Sequence, residues 1–160
     1  MTTWNRGRLL AVMLLAGAVA ACAGPRPYVS SSENNLRFTT VAESGSWFSS
    51  VQASVHIHSV DENCQTNFQG TIRLGGSPIA TGIPVGQPSY LVFSFDSSSF
   101  MSNSSSSINY STMLTPRRDH DYDIAVEYVE DTYNATIREV NRRNNQRREV
   151  HYTALDACEA

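Results

Sequence analysis

The feature that most constrains the fold is a period-two alternation of apolar and polar residues, which recurs along most of the chain after residue 35. Residues 51–57 carry apolar side chains at the odd positions, and residues 122–128 carry large apolar side chains at the even positions. Successive side chains of a strand point to opposite faces of its sheet, so this pattern predicts strands with one buried face. No segment shows a convincing helical period.

Turn-forming segments separate these strands. Gly75–Pro78 and Gly86–Pro88 combine glycine with proline, and the serine-rich stretch 96–107 is expected to be a mobile loop. Short strands with a turn signal about every dozen residues are typical of a sandwich. The chain is therefore predicted to be all-β, a two-sheet antiparallel sandwich of about seven to nine strands.

Two strands carry more detailed predictions. Tyr90–Phe95 is a nearly continuous apolar run, which favours a central strand. Phe68, Ile72 and Leu74 alternate with polar residues, so they are expected to share one face.

The last two strands are predicted to form a hairpin. Asn144-Asn145 suits its turn, because asparagine tolerates positive φ. A turn there would pair Ile137 with Tyr152 and Ala135 with Ala154.

Residues 1–22 have the organisation of an export signal. Arg6 and Arg8 give it a positive start, and Leu9–Ala21 is a run of thirteen apolar or small residues. A helix of that length spans roughly 20 Å, which is less than the hydrocarbon core of about 30 Å, so a permanent membrane helix is not expected. The run ends in Val19-Ala20-Ala21-Cys22, which resembles the lipobox of bacterial lipoproteins.

That resemblance implies that residues 1–21 are removed and that Cys22 becomes the lipid-bearing first residue. The alternative is a conventional secretory signal, because Ala18-Val19-Ala20 also fits an A-x-A cleavage site. The number of cysteines favours lipidation, since it leaves Cys64 and Cys158 as an even pair. In an oxidising compartment these two are predicted to form a disulfide, with Cα atoms within about 7 Å. In the sorting rule of bacterial lipoproteins, aspartate after the lipidated cysteine signals retention. Ala23 stands at that position here, so the resemblance implies the outer membrane.

The predicted mature chain has two parts, a lipidated tether over residues 22–35 and a sandwich domain over residues 36–160. Removal of the signal leaves 139 residues (160 − 21), enough for one core, and takes the formal net charge from −3 to about −5. Such a chain offers no broad positive field for nucleic acid. In this layout it resembles small envelope lipoproteins with an immunoglobulin-like or transthyretin-like sandwich.

Two histidines form a candidate metal site. His56 and His58 lie two positions apart on one predicted strand, so both imidazoles project from the same face. That geometry can chelate zinc or copper if His120 or His151 supplies a third ligand in the fold. The alternative is a pair of surface histidines without a metal.

Four arginines form a candidate anion-binding cluster at the tip of the last hairpin: Arg142, Arg143, Arg147 and Arg148. Guanidinium groups bind phosphates and carboxylates in bidentate fashion, so lipid headgroups or an acidic partner are possible ligands. The alternative is that these charges protect an edge strand from pairing. In either case replacement of all four by glutamine is predicted to leave the thermal midpoint nearly unchanged.

The sequence shows no catalytic signature. It lacks the G-x-S-x-G elbow, the H-E-x-x-H motif, the phosphate-binding glycine loop and the dinucleotide fingerprint. The chain is therefore predicted to be a non-enzymatic lipoprotein without a cofactor, anchored to the periplasmic face of the outer membrane and acting through contacts with another envelope protein. The alternatives are a module that binds a metal or small ligand, and an inhibitor of a periplasmic partner.

Overall fold

The computed structural model describes residues 25–42, 49–99, 104–129 and 132–156. Within them no helix is long and apolar enough to cross a membrane. The described residues form nine strands: β1 (Leu36–Ala42), β2 (Ser49–Val60), β3 (Thr66–Leu74), β4 (Ile79–Thr81), β5 (Ser89–Ser99), β6 (Ser104–Leu114), β7 (His120–Val129), β8 (Thr132–Asn141) and β9 (Arg147–Val150).

The strands form two sheets, which confirms the predicted all-β sandwich. One sheet has five strands in the order β4-β1-β7-β8-β9, and the other has four in the order β3-β2-β5-β6. All neighbouring strands are antiparallel except β1 and β7, which are parallel with Leu36 opposite Tyr122. The β2–β3, β4–β5, β6–β7 and β8–β9 connections share one end of the sandwich, which we call the turn end. The other end holds residues 97–99 and 104–107, and we call it the serine end.

The core lies between the sheets and is built by the alternation that the sequence shows. Alternate residues of four strands are buried, because one face of each strand points inward: 53, 55 and 57 of β2, 91, 93 and 95 of β5, 36 and 38 of β1, and 122, 124 and 126 of β7. The largest fully enclosed side chains are Tyr122, Phe38, Phe93, Phe95, Leu36, Ile57, Ile83, Leu91 and Ile124. β5 is central in its sheet, with Leu91, Phe93 and Phe95 buried, as predicted from the continuous apolar run.

The segment before β1 closes the open side of the sandwich between edge strands β3 and β4. Its Tyr28 amide donates to Thr71 O of β3 at 3.0 Å, and its Tyr28 hydroxyl donates to Gly82 O after β4 at 2.7 Å. The buried Asn35 side chain holds the backbone of Ile83, donating to its carbonyl at 2.8 Å and accepting from its amide at 3.0 Å. We call residues 26–35 the strap.

Two glycines make room for the strap. A Cβ atom on Gly82 would lie 2.2 Å from Glu33 O, and one on Gly70 would lie 2.6 Å from Tyr28 Cα. Any other residue at either position would therefore collide with strap backbone. From Arg26 onward, the segment that the sequence assigned to a tether is packed against the domain.

The segment after β9 closes the opposite side, between edge strands β6 and β9. Thr153 O accepts from the Met113 amide at 2.8 Å, and the Thr153 amide donates to Thr112 Oγ1 at 3.0 Å. The Tyr152 hydroxyl donates to Ala135 O of β8. Because both edges of the four-stranded sheet carry such an addition, less edge is left open for pairing with another chain.

The prediction for Phe68 was wrong. Ile57 lies opposite Gly70 while His58 lies opposite Phe68, so β3 has one extra residue at this point. Such a bulge reverses the parity of the strand, because side chains repeat every second residue. Ile72 and Leu74 face the core, whereas Phe68 lies 40% exposed beside His58 on the outer face.

The prediction of a mobile loop over the serine-rich stretch was also wrong. Ser97, Ser98 and Ser99 of β5 pair with Ser106, Ser105 and Ser104 of β6, and only the connection between these strands lies outside the described residues. Serine hydroxyls across a strand pair can bond to one another. Ser97 and Ser106 do so, with their Oγ atoms 2.6 Å apart.

The last hairpin forms with a register two residues away from the predicted one. Ile137 lies opposite Val150 and Arg138 opposite Glu149. The connection has five residues, 142–146, in which the Asn145 amide donates to Asn141 O and Asn145 adopts a φ of 55°. A shift of two leaves every side chain on its predicted face, so the face assignment survives.

Candidate binding face on the five-stranded sheet

The outer face of the five-stranded sheet carries a row of alternating charges. Arg37 of β1 lies opposite Asp123 of β7, which lies opposite Arg138 of β8, which lies opposite Glu149 of β9. Residues directly opposite each other on neighbouring strands have closely spaced Cβ atoms, so this order favours the strand pairing. It also concentrates guanidinium groups on an exposed sheet surface.

Two open pockets, of about 240 and 290 Å³, lie side by side over this row. Both are lined by Arg37, Asp123 and Arg147, and the second also by Arg138. The rest of the first pocket is lined by Asn34, Asn35, Leu36, Ala80, Asp121, Val140 and Arg142, and the rest of the second by Thr39, Ala125 and Thr136. We call Arg37, Asp123, Arg138 and Arg147 the arginine face.

The guanidinium groups of this face are available to a ligand. Among the described residues, no ion pair involves Arg37, Arg138 or Arg147, and all three are exposed. The two pockets together are lined by four arginines and two aspartates, an excess of two positive charges in a chain whose formal net charge is −3. Each guanidinium presents a planar set of donors that matches a carboxylate or phosphate.

The four arginines of the predicted hairpin cluster have different surroundings. Arg147 belongs to the arginine face. Arg143 pairs with Asp119 through its Nη2 atom, and Arg148 Nη2 lies 2.8 Å from Glu139 Oε2. Three of the four, counting Arg142, are thus engaged by carboxylates of the same chain, and the cluster is not a single positive patch.

Arg142 holds the strap against the hairpin. Its Nη1 atom lies 2.8 Å from Glu33 Oε1, its Nη2 atom lies 2.7 Å from Asp121 Oδ1, and Nη2 also donates to Asn34 O at 3.1 Å. The hydrogen bond to Asp121 is the main cause that raises the pKa of Arg142. This residue therefore serves the fold of the strap.

A buried carboxylate, which the sequence analysis did not identify, lies at the turn end of the core. Glu139 occupies an inward position of β8, between the β7 and β9 residues Tyr122 and Arg148. Its Oε1 atom accepts from the Tyr122 hydroxyl at 3.0 Å, and its Oε2 atom lies 3.5 Å from Arg117 Nη1. Burial is the main cause that raises the pKa of Tyr122 to about 12. Its parity with Ala135 and Ile137 was the signal that could have revealed it.

His56 and His58 project from the outer face of the other sheet, as predicted. His56 Nδ1 lies 2.8 Å from Thr71 Oγ1, and the ring of His58 lies between those of Phe68 and Tyr90, with centroids 5.3 and 6.0 Å away. Burial, followed by the charge of His56, lowers the pKa of His58. Throughout the described ranges no group of three or more His, Cys, Asp or Glu residues could hold a metal ion.

The cysteines fall on both sides of the described boundary. Cys64 lies in the β2–β3 turn at the turn end, with a φ of 59°. Cys22 and Cys158 lie outside the described residues, so the lipidation site and the disulfide stay predictions. The described part of the C-terminal segment also approaches the turn end. Its Thr153 contacts Met113 of β6, which lies opposite Tyr90 of β5, and Tyr90 lies opposite His58 of β2.

In comparisons with known proteins, no family model, no curated protein and no solved structure matches this chain.

Proposed function

We propose that this chain is a non-enzymatic envelope lipoprotein, anchored through Cys22 to the periplasmic face of the outer membrane, whose sandwich binds an acidic surface of another envelope protein. The observation that carries the binding role is the arginine face. Arg37, Arg138 and Arg147 are exposed beside two pockets, and no described carboxylate forms an ion pair with them.

A binding role suits the chemistry of this face better than a catalytic one. The described residues that line the two pockets include no histidine, cysteine or serine, and the threonine hydroxyls of the second pocket have no histidine or lysine there to activate them, so the lining mainly offers charge and hydrogen bonds. The face lies on the strands of a sheet, which positions side chains more rigidly than loops do. A protein partner also suits its open shape, because small-molecule ligands favour enclosed and mostly apolar pockets.

Two covalent features belong to the same proposal. The lipobox residues and the even cysteine pair support a diacylglyceryl group on Cys22 and a bridge between Cys64 and Cys158. Intact-mass measurement of membrane-extracted protein detects the first, and peptide mapping without reductant detects the second. We expect Cys22→Ala to remain uncleaved or to be released as a soluble domain. A detergent-partitioning Cys22→Ala protein with a diacylglyceryl mass would contradict the anchor.

The partner contact is tested by crosslinking in intact cells. In the triple variant Arg37→Gln, Arg138→Gln, Arg147→Gln we expect loss of the crosslinked partner, and in the parent we expect that recovery decreases with salt. Salt weakens such exposed contacts because the Debye length falls from about 10 Å at 0.1 M to about 3 Å at 1 M.

The control for this test changes two exposed arginines that are not part of the face. Arg73 lies on β3 of the other sheet and Arg118 in the β6–β7 connection. The double variant Arg73→Gln, Arg118→Gln should crosslink as the parent does. Equal recovery from the triple variant would reject the arginine face, and a captured enzyme whose activity falls on binding would make the protein its inhibitor.

A further inference from the structure

The strap shortens the link between the domain and the proposed anchor. Its first hydrogen bond to the domain is made by Arg26, whose carbonyl accepts from the Thr71 amide at 2.8 Å. Only Ala23, Gly24 and Pro25 separate Arg26 from Cys22. Four residue steps reach at most about 14 Å even when fully extended. A lipid on Cys22 would therefore hold the domain against the bilayer surface.

The direction of the strap selects which end of the domain meets the bilayer. Pro27 bridges Thr71 in parallel to β3, and β3 begins at the turn end. Arg26 therefore lies on the turn-end side of Pro27, and Tyr28, Val29, Ser31 and Ser32 of the strap line a pocket at that end. Residues of the strap and of the β4–β5 connection meet at this end, where Val29, Pro84 and Pro88 line one pocket of about 280 Å³.

Apolar side chains are exposed at the same place. Val29 of the strap is 84% exposed and Val85 of the β4–β5 connection is 50% exposed. Exposed aliphatic side chains close to a lipid anchor can enter the boundary between headgroups and acyl chains, where their burial is favourable.

We propose that the turn end of the sandwich rests on the bilayer that holds the acyl chains of Cys22, with Val29 and Val85 in contact with lipid. This orientation rests on the proposed lipidation. The charges around Val85 have both signs, with Arg117 and Arg118 beside the β4–β5 connection and Asp61 and Glu62 in the β2–β3 turn, so the orientation is assigned to the apolar contact of Val29 and Val85.

The test uses the full lipidated protein in vesicles that contain brominated phosphatidylcholine, which quenches tryptophan at short range. Trp47→Phe removes the native tryptophan that remains after the signal leaves. Val85→Trp then reports on the turn end. Ile108→Trp is the matched control, because Ile108 is 39% exposed and lies six residues along β6 from Leu114, roughly 20 Å toward the serine end.

We expect the fluorescence of the Val85→Trp protein to be quenched several-fold more than that of the Ile108→Trp protein, already in zwitterionic vesicles, which carry no net charge to attract the arginines of the turn end. A ten-residue Gly-Ser insertion between Gly24 and Pro25 should reduce that difference while leaving the lipid in place. Val29→Trp provides a second probe if the substitution at position 85 disturbs the fold.

Two failures can be told apart in this experiment. The orientation alone is overturned if the proteins carry the diacylglyceryl mass and float with vesicles, but Val85→Trp and Val29→Trp are quenched no more than Ile108→Trp. A protein without that mass, which does not float, overturns the proposed anchor instead.

Discussion

The Tyr122 hydroxyl and the Glu139 carboxylate meet at 3.0 Å inside the sandwich, where the two residues are only 1% and 5% exposed. Tyr122 also accepts the Arg117 amide at 3.0 Å, and Arg148 reaches Glu139 from β9. These contacts connect β7, β8, β9 and the β6–β7 connection at the turn end. A buried carboxylate is tolerated there because its oxygen atoms have partners of opposite charge or donor character.

Removal of that carboxylate should destabilise the domain. In Glu139→Ala the Tyr122 hydroxyl loses its buried acceptor, and we expect the free energy of unfolding in urea to fall by about 2 kcal/mol. Glu149→Ala is the control, since Glu149 is exposed on the outer face, and its effect should stay within about 0.5 kcal/mol. Equal effects of the two substitutions would show that the buried network contributes little.

The raised pKa of Tyr122 predicts loss of stability at alkaline pH. The folded value is about 12 against an ordinary value of 10.0 for tyrosine, so the folded state holds the proton more tightly. The contribution of the protonated Tyr122 hydroxyl to the free energy of unfolding is fully present below pH 10.0. It is lost as the pH rises through about 12, which lowers the free energy of unfolding by on the order of 2 to 3 kcal/mol. Tyr122→Phe should flatten the stability curve in that window. A parallel curve for parent and variant would contradict the assignment.

The close contact of Gly82 with the strap predicts a large effect of a single methyl group. Gly82→Ala places a Cβ atom against Glu33 O, so we expect a loss of about 3 kcal/mol or release of the strap. Hydrogen exchange of residues 26–35 distinguishes these results from an undisturbed strap. Gly75→Ala is the control, because a Cβ atom there meets nothing within 4 Å. Similar stability and exchange in both variants would reject the contact.

Arg142 and Arg147 are predicted to differ although they belong to one sequence cluster. Arg142→Gln removes two ion pairs and a bond to Asn34 O, so we expect a loss of about 1 kcal/mol that diminishes at high salt. Arg147→Gln should leave the thermal midpoint unchanged. Scanning calorimetry at low and high salt measures both. The structure thus replaces the expectation that all four arginines could be changed without effect, and equal midpoints for the two variants would restore it.

The alternation of side chains was sufficient to predict the sandwich, its core faces and its central strand, because burial of one face imposes a period of two. Features that depend on a distant segment were not predictable in this way. The glycine at position 70 makes room for Tyr28, and the bulge beside it turns Phe68 outward. The parity of β3 before the bulge gives no sign of that reversal.

The candidate site shows the same limit. Arg147 was identified because it belongs to a dense cluster, whereas Arg37 and Arg138 stand alone in sequence and meet only through the order β1-β7-β8-β9. The serine-rich strands were missed because serine has low strand preference by itself. Their pairing partners, which supply the hydroxyl contacts, are decided by the hairpin.

The parallel pairing of β1 with β7 also decides in what order the chain can fold. The pairing of β1 with β7 brings together Leu36 and Tyr122, which are 86 positions apart in the chain (122 − 36). The β5–β6 and β7–β8 pairs, in contrast, can form as local hairpins. Loop closure over such a distance is slow, so we expect pulsed hydrogen exchange to show residues 26–41 protected after the β5–β6 hairpin. If the chain is exported from its N-terminus, as proposed, the strap would then stay unpaired, and Cys22 open to modifying enzymes, until most of the domain has crossed the membrane.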